Sequence, residues 1–287
     1  MLTRAAGADR VRRAGVVGLP ISHTLSPVLH RAAWAALGLG SWVFEAVEVR
    51  PGELGRYVEG LGPEWVGLAV TMPLKEEALA LAVQAGPAAR LAGAANTLLR
   101  RDDGWYADNT DVHGLERALT GAGVRRPRRA TVLGGGATAR SAVVALHALG
   151  VRELTFRVRG DLRPGTTELL GALGVEHRVL PLTAGPVVVD AGVTDVVVST
   201  LPSSADSPEV VVPDGAAVPV VLDVAYSPWP SRFASAVHEA SAGRVAALRG
   251  TDMLLHQAVR QVELMTGQTG PVAAMRAALG TEGTGSA

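Results

Sequence analysis

Of the chain's 27 Lys and Arg residues one is a lysine, Lys75. Arginine stays protonated in any protein, whereas a lysine ammonium is compact and its pKa moves readily with its surroundings. A proton-transfer step needs that property, so Lys75 is the first candidate for chemistry. Asparagine is almost as scarce. Asn96 and Asn109 are the two the chain has, and both fall between Lys75 and Asp111. On residue counts alone, a chance survivor on a solvated helix beside Glu76 and Glu77 explains Lys75 equally well.

Three segments of the first half read as substrate machinery. His23-Thr24-Leu25-Ser26-Pro27-Val28-Leu29-His30 puts two hydroxyls where a loop enters a helix. Ser26 is expected as the N-cap with Pro27 in the first helical position. A capped helix start with a spare hydroxyl and backbone donors also suits a carboxylate. Thr71-Met72-Pro73-Leu74-Lys75 places a hydroxyl at a strand end and the lysine in a first helical turn. A cation there opposes the helix dipole, so it needs another reason to be there. Asp111, in Asn109-Thr110-Asp111, supplies one as a partner that holds and polarises the ammonium; it also reads as an ordinary first-turn acid.

Gly134-Gly135-Gly136-Ala137-Thr138-Ala139 follows an apolar run and opens a helical pattern. The spacing matches the dinucleotide fingerprint: a tight turn, a close backbone approach to a pyrophosphate, and a helix N-terminus for its charge. A glycine-rich turn without a ligand is the plainer alternative. At the end of the next strand, NAD-binding chains carry an acid for the ribose hydroxyl. Here Arg157, Val158, Arg159 and Gly160 stand there, with Arg163 beyond. Arginines suit a 2′-phosphate through bidentate pairing, which favours NADP; Asp161 could serve a ribose hydroxyl instead.

The elements that must position these groups alternate. Strands are expected over Ala14–Leu19, Trp42–Val49 and Trp65–Val70, with helices over Pro27–Leu37, Glu53–Leu61 and Leu74–Val83. A hairpin over Thr97–Arg101 and Gly104–Ala107 and a helix over Thr110–Ala122 follow. The pattern then restarts with strands at Ala130–Leu133, Glu153–Val158, Asp195–Thr200 and Val220–Val224. Helices are expected over Ala137–Leu149, Ser231–Ala242, Asp252–Thr266 and Pro271–Leu279. This is an α/β chain with parallel sheets. We expect a substrate and catalytic domain over 10–113, a dinucleotide domain over 114–250, and C-terminal helices over 251–281. Both ends, Met1–Arg13 and Thr281–Ala287, read as loose.

The 287 residues are 48% hydrophobic and 19% charged, as in a soluble globular protein, with a core of Ala, Val and Leu because aromatics are few. A formal net charge of zero argues against a nucleic-acid or membrane-surface partner. The cluster Arg125, Arg126, Arg128 and Arg129 reads as a solvated loop. Without cysteine, disulfides, thiolate catalysis and Cys-type zinc sites are excluded, and no His pair has helical metal spacing, so no metal is expected. No apolar run reaches the roughly 18 residues of a spanning helix, and the expected location is the cytoplasm.

Taken in order, these motifs resemble shikimate dehydrogenase from about Ala14 to Leu279. The resemblance rests on Thr24-Leu25-Ser26-Pro27, Val70-Thr71-Met72-Pro73-Leu74-Lys75, Gly93-Ala94-Ala95-Asn96-Thr97 and Asn109-Thr110-Asp111. It continues through the glycine loop, Asp223-Val224-Ala225-Tyr226-Ser227-Pro228, and Gly250-Thr251-Asp252-Met253-Leu254-Leu255-His256-Gln257. It implies two α/β domains, the second Rossmann-like, with C-terminal helices returning to the first. It implies NADP-linked, reversible reduction of 3-dehydroshikimate, with Lys75 and Asp111 catalytic. Thr24, Ser26 and Tyr226 would face the substrate carboxylate, and Thr71, Asn96 and Gln257 the ring oxygens. The nicotinamide would lie near Val224 and Gly250, with Ser199 and Thr200 closing over the cofactor. Thr24 stands where Ser is more frequent, Ala69 where Asn or Ser is, Ala137 where glycine is, and Pro87 where an acid is. Thr24 and Ala69 keep a quinate or aminoshikimate-type substrate open, and a non-catalytic NADP-binding sensor is the alternative of another class. A small-molecule enzyme of this kind is expected as a monomer or homodimer.

Overall fold

The structure, a computed structural model, describes residues 11–282. Most of the expected loose N-terminus and the last five residues lie outside the described residues. Arg12 and Arg13, expected in that loose end, instead open the first strand. Arg12 pairs with Trp42 and Arg13 with Val43, and the Arg13 guanidinium meets the Glu45 carboxylate.

The described chain folds as two compact units. The first runs to Ala89, resumes over Ala94–Asp108 and takes the chain again from Ala258. It contains β1 (Arg12–Gly18), α1 (Ser26–Ala36), β2 (Trp42–Glu48), α2 (Leu54–Glu59), β3 (Trp65–Val70), α3 (Lys75–Leu81), β4 (Gln84–Ala85), β5 (Thr97–Arg101) and β6 (Gly104–Asp108). The sheet order is β2-β1-β3-β5-β6-β4. β1 lies parallel to β2 and β3, while β5 runs antiparallel to β3 and β6, so the expected hairpin reverses one strand, and β6 and β4 run with the first three again. Leu54, Leu68, Leu74 and Leu98 fill the core on one side. The helix α4 (Pro87–Ala92) straddles a change of unit.

The second unit comprises Arg90–Gly93 and Asn109–Gln257. It contains α5 (Thr110–Gly121), β7 (Arg129–Leu133), α6 (Ala137–Leu149), β8 (Glu153–Val158), α7 (Pro164–Leu173), β9 (Glu176–Pro181), β10 (Val187–Val188), β11 (Val196–Ser199), β12 (Val210–Val211), β13 (Val220–Asp223), α8 (Arg232–Ala240) and β14 (Leu248–Arg249). Its main sheet, β14-β13-β11-β7-β8-β9, is parallel throughout, a Rossmann-like arrangement. The order reverses at β7, and in such sheets ligands bind beyond the strand ends at that switch point. The chain then forms α9 (Thr251–Thr266) and α10 (Val272–Glu282), and α10 packs along α1 in the first unit. No described helix is long and apolar enough to cross a membrane.

The sequence pattern did not show α7 or β9. Pro164, Gly165 and Gly171 dilute the helical signal of α7. β9 is exposed along most of its length and carries no apolar alternation. The arginine cluster is more than a solvated loop. Arg129 opens β7 and donates to the Gly192 and Ala191 carbonyls, while Asp195 accepts from the backbone of Arg128 and Arg129.

His30, on α1, is fully buried and stacks on Phe44 with centroids 4.1 Å apart. Its Nδ1 lies 2.9 Å from the Ser26 carbonyl, which makes Nδ1 the protonated nitrogen. Burial lowers its pKa to about 4, against the opposing pull of that carbonyl. The unfolded chain, titrating near 6.5, therefore takes up a proton first as the pH falls. The stability associated with neutral His30 is complete above about pH 6.5 and is lost towards pH 4, roughly 3 kcal/mol over that window. Urea midpoints at pH 7.5 and 4.5 should fall further apart in the parent than in His30→Phe; equal differences would remove His30 as the cause.

Candidate active site

In the first unit the candidate residues collect where β1 and β3 end. Gly18 closes β1, and a Cβ there would lie 2.3 Å from Thr71 Cγ2 and 2.9 Å from the Met72 carbonyl. Glycine alone lets the Thr71–Met72 turn come this close. Thr71 N–H donates to the Val17 carbonyl at 2.9 Å, and Leu19 N–H to that of Met72 at 2.9 Å. The turn delivers Lys75 as the first residue of α3, half-buried. The Lys75 carbonyl accepts from Ala95 N–H at 2.8 Å, and the Asn96 carbonyl from Val70 N–H at 2.7 Å. Thr71, Lys75 and Asn96 are thus tied to one end of one sheet by backbone bonds. Glu77 does not merely solvate α3: its carboxylate accepts from Gly52 and Leu54 N–H, both at 2.9 Å, at the start of α2.

Thr24 and Ser26 follow β1 at the same end. The expected N-cap at Ser26 is not formed. Ser26 is the first helical residue, Leu25 precedes it without a side-chain cap, and the Thr24 hydroxyl accepts from Ser26 N–H at 3.3 Å. The helix starts one residue earlier than expected, since Leu29 N–H donates to the Leu25 carbonyl at 3.1 Å. Thr24 Oγ1 also donates to Ser26 Oγ at 3.2 Å, which pairs the two hydroxyls.

In the second unit Asn109 caps α5, its Oδ1 accepting from Asp111 N–H at 3.2 Å while its Nδ2 donates to Ser141 Oγ on α6 at 3.0 Å. Asp111 therefore sits, buried, in the first turn of a helix anchored to the helix behind the glycine loop. A Cβ at Gly114 would lie 2.5 Å from the Met253 carbonyl, so this glycine lets α9 lie close to α5. Across that contact Thr110 Oγ1 donates to Gln257 Oε1 at 3.4 Å, and Gln257 Nε2 donates to the Leu254 carbonyl at 3.0 Å. Asp111 and Gln257 are held on these facing helices.

The glycine loop leaves β7 at the switch point. Gly134 has φ +102°, and a Cβ there would lie 2.4 Å from Thr200 Oγ1. Thr200 is held by its own N–H and hydroxyl, both 2.8 Å from the Leu133 carbonyl. Gly136 is extended, has no atom within 4 Å of a would-be Cβ, and leaves α6 without a side-chain cap. Open space at Gly136, before a helix start without a side-chain cap, fits a pyrophosphate. Ala139 is corrected: it is fully buried and serves helix–strand packing instead of a ligand.

Two further expectations change. Arg157 is buried, and its guanidinium donates to the Ala184 carbonyl at 2.6 Å and the Pro186 carbonyl at 2.7 Å, which holds the loop after β9. Arg159 and Arg163 remain exposed beyond β8. Ser199, expected to close over the cofactor, is instead fully buried and hydrogen-bonds to Asp223. Thr200, the next residue, is the partly exposed one at the loop.

Asp223 is not among the candidate residues, although its segment carries part of the resemblance, and it organises the far side of the loop. Burial raises its pKa, against hydrogen bonds from Ser231, Ala225 N–H and Ser199. Val224 follows, and Gly250 N–H donates to the Ala225 carbonyl at 3.1 Å. Arg249 Nε donates to the Tyr226 carbonyl at 3.0 Å. Burial raises the Tyr226 phenol, which keeps it a proton donor. A Cβ at Gly250 would lie 2.0 Å from the Val224 carbonyl oxygen and 2.9 Å from Val224 Cα. Gly250→Ala must therefore push two backbone segments apart, at a cost of about 1–3 kcal/mol. We expect a melting midpoint lower by on the order of 5 °C together with weakened NADP binding; a variant that melts and binds like the parent would show that the contact yields freely.

Residues 16–98 match the family model for the shikimate dehydrogenase substrate binding domain, and residues 250–279 that for the shikimate 5′-dehydrogenase C-terminal domain. A shikimate dehydrogenase (NADP(+)) from Rubrobacter xylanophilus is 38% identical over 279 residues, 94% of this chain and 95% of that protein. The crystal structure of Mycobacterium tuberculosis shikimate dehydrogenase is 40% identical with a TM-score of 0.79, covering 94% of this chain and 99% of that one. The Thermus thermophilus enzyme, solved in complex with NADP(H) and shikimate, is 27% identical with a TM-score of 0.76, covering 94% and 99%. With such identity along nearly its whole length and both family models matched, the chain belongs to the shikimate dehydrogenase family.

Proposed function

We propose that this protein is an NADP-dependent shikimate dehydrogenase, an oxidoreductase that reversibly reduces 3-dehydroshikimate to shikimate on the route to aromatic amino acids. The observation that carries the reading is the placement of the chain's one lysine at the strand ends that also hold Thr71 and Asn96, in a chain whose Thermus relative was solved with NADP(H) and shikimate.

The nicotinamide cofactor, when bound, supplies the hydride that reaches the ketone carbon. Lys75, as an ammonium, donates a proton to the ketone oxygen and stabilises the charge developing there. Asp111 accepts from the ring hydroxyl beside the ketone. Thr24, Ser26 and the Tyr226 phenol donate to the substrate carboxylate. Thr71, Asn96 and Gln257 serve ring oxygens; amides offer both donor and acceptor to a polyol. A site built of such bonds rejects analogues lacking a hydroxyl more sharply than an apolar pocket does. Gly134 to Thr138 and Thr200 hold the pyrophosphate, Arg159 and Arg163 the 2′-phosphate, and Val224 and Gly250 border the nicotinamide. We place the protein in the cytoplasm as a monomer or homodimer, in keeping with zero net charge and no cysteine.

The test is nicotinamide absorbance with purified protein, shikimate and NADP, with quinate and NAD in parallel. NADPH formed from shikimate supports the reading. Preferential turnover of quinate with NAD moves the substrate within the family, and no turnover by a folded protein that binds NADP leaves the sensor.

A further inference from the structure

Gln261 lies on α9 one turn beyond Gln257 and is 1% exposed. Its Nε2 stands 3.0 Å from the Asn96 carbonyl and 3.0 Å from Thr97 Oγ1. Its Oε1 is buried without a hydrogen-bond partner. A backbone carbonyl only accepts, so nitrogen must face Asn96, and the amide keeps that orientation although its own oxygen is left unserved at a cost.

A consequence runs through Thr97. An amide nitrogen only donates, so Thr97 Oγ1 accepts from Gln261, and its own proton is left for Asn96 Oδ1, 2.8 Å away. Thr97 is fully buried. The direction of the first bond sets the second, and the second sets which end of the Asn96 amide is oxygen. Gln261 also grips the Asn96 carbonyl that accepts from Val70 N–H at the end of β3.

We propose that Gln261, Thr97 and Asn96 form a one-way hydrogen-bond relay that fixes the Asn96 amide with its nitrogen as the end offered to a substrate ring oxygen, and that Gln261 is a positioning residue for substrate recognition. This rests on Asn96 meeting the substrate as proposed above. Without the relay Asn96 Oδ1 loses the Thr97 donor that marks it as the oxygen end.

Steady-state kinetics of Thr97→Val, Thr97→Ser, Gln261→Met and the double variant Thr97→Val/Gln261→Met test it, with shikimate varied at saturating NADP and the reverse. Thr97→Val and Gln261→Met should each raise KM for shikimate about 10-fold, with kcat and KM for NADP within about 2-fold of the parent. Thr97→Ser keeps the donor and should stay within about 2-fold of the parent. Because both act through one amide, the double variant should be no worse than either single one, where independent effects would multiply to about 100-fold. Unchanged shikimate KM in both single variants, a multiplied effect in the double, or an equal rise in KM for NADP overturns the relay. Folding is checked by the melting midpoint and NADP affinity of each variant; if either valine or methionine variant unfolds, Thr97→Ala and Gln261→Leu take its place under the same criteria. A parent protein with no shikimate turnover is a different failure, which removes the functional reading and the relay's role with it.

Discussion

Replacing Lys75 with Met is expected to lower kcat at least about 100-fold, the low end of what a positioned general acid contributes. KM for shikimate should change far less, because Thr71, Asn96 and the paired hydroxyls of Thr24 and Ser26 remain in place. Lys75→Arg is the sharper variant. It keeps the charge at the start of α3 and keeps every backbone bond of the Thr71–Lys75 turn. Arginine does not give up its proton at working pH, so Lys75→Arg should fail nearly as badly as Met. Steady-state kinetics with a melting curve for each variant decide the matter. Near-normal turnover in Lys75→Arg would remove the proton-transfer role and leave only charge stabilisation.

The second large effect concerns the choice of cofactor. Three arginines follow one another near the end of β8, and the structure divides their duties. Arg157 is committed to the carbonyls of residues 184–186. Arg159 and Arg163 are exposed beyond the strand, next to the switch point where a nucleotide's adenosine ribose lies in sheets of this order. Charge-assisted bonds to phosphate are worth about 1.5–3 kcal/mol each. The double variant Arg159→Ser with Arg163→Ser should therefore raise KM for NADP by about 100-fold and leave KM for NAD within about 3-fold of the parent. Asp161, standing between them, then becomes the natural partner of an unphosphorylated ribose. Equal KM changes for the two cofactors would show that the 2′-phosphate is read elsewhere. Arg157→Ser, by contrast, should act first on stability, since it releases a loop rather than a ligand.

Much of this arrangement was legible in the residues because its determinants are neighbours in the chain. The glycine loop, its preceding strand and its following helix occupy one continuous stretch from Arg129 to Leu149, so type and spacing were sufficient to place it. Lys75 at a helix start and Asp111 in a first turn follow from Pro73 and from the Asn109 cap, again within a few residues. The alternation of strands and helices likewise announced an α/β chain, although β5 runs against the other strands of its sheet and the exposed β9 and glycine-diluted α7 escaped notice.

Only the tertiary structure decided what each side chain was free to do. Ser26 is a reasonable N-cap by type, but the path of the chain after β1 starts the helix one residue earlier, with the Leu25 carbonyl taking the Leu29 N–H. Arg157 and Arg159 are equivalent as letters; the loop that β9 brings to β8 consumes one and leaves the other. Ser199 and Thr200 are equivalent hydroxyls until Asp223 takes the first. Gly18, at the end of a strand, and Gly250, in a motif, show nothing by type of why a side chain is excluded; that comes from backbone at residues 72 and 224. Gln261 reaches a partner 165 positions earlier in the chain. The physical reason is common to all of them. Residue type sets which bonds a group can make, but burial and partner geometry belong to the neighbours that folding supplies, and those neighbours are distant in the chain.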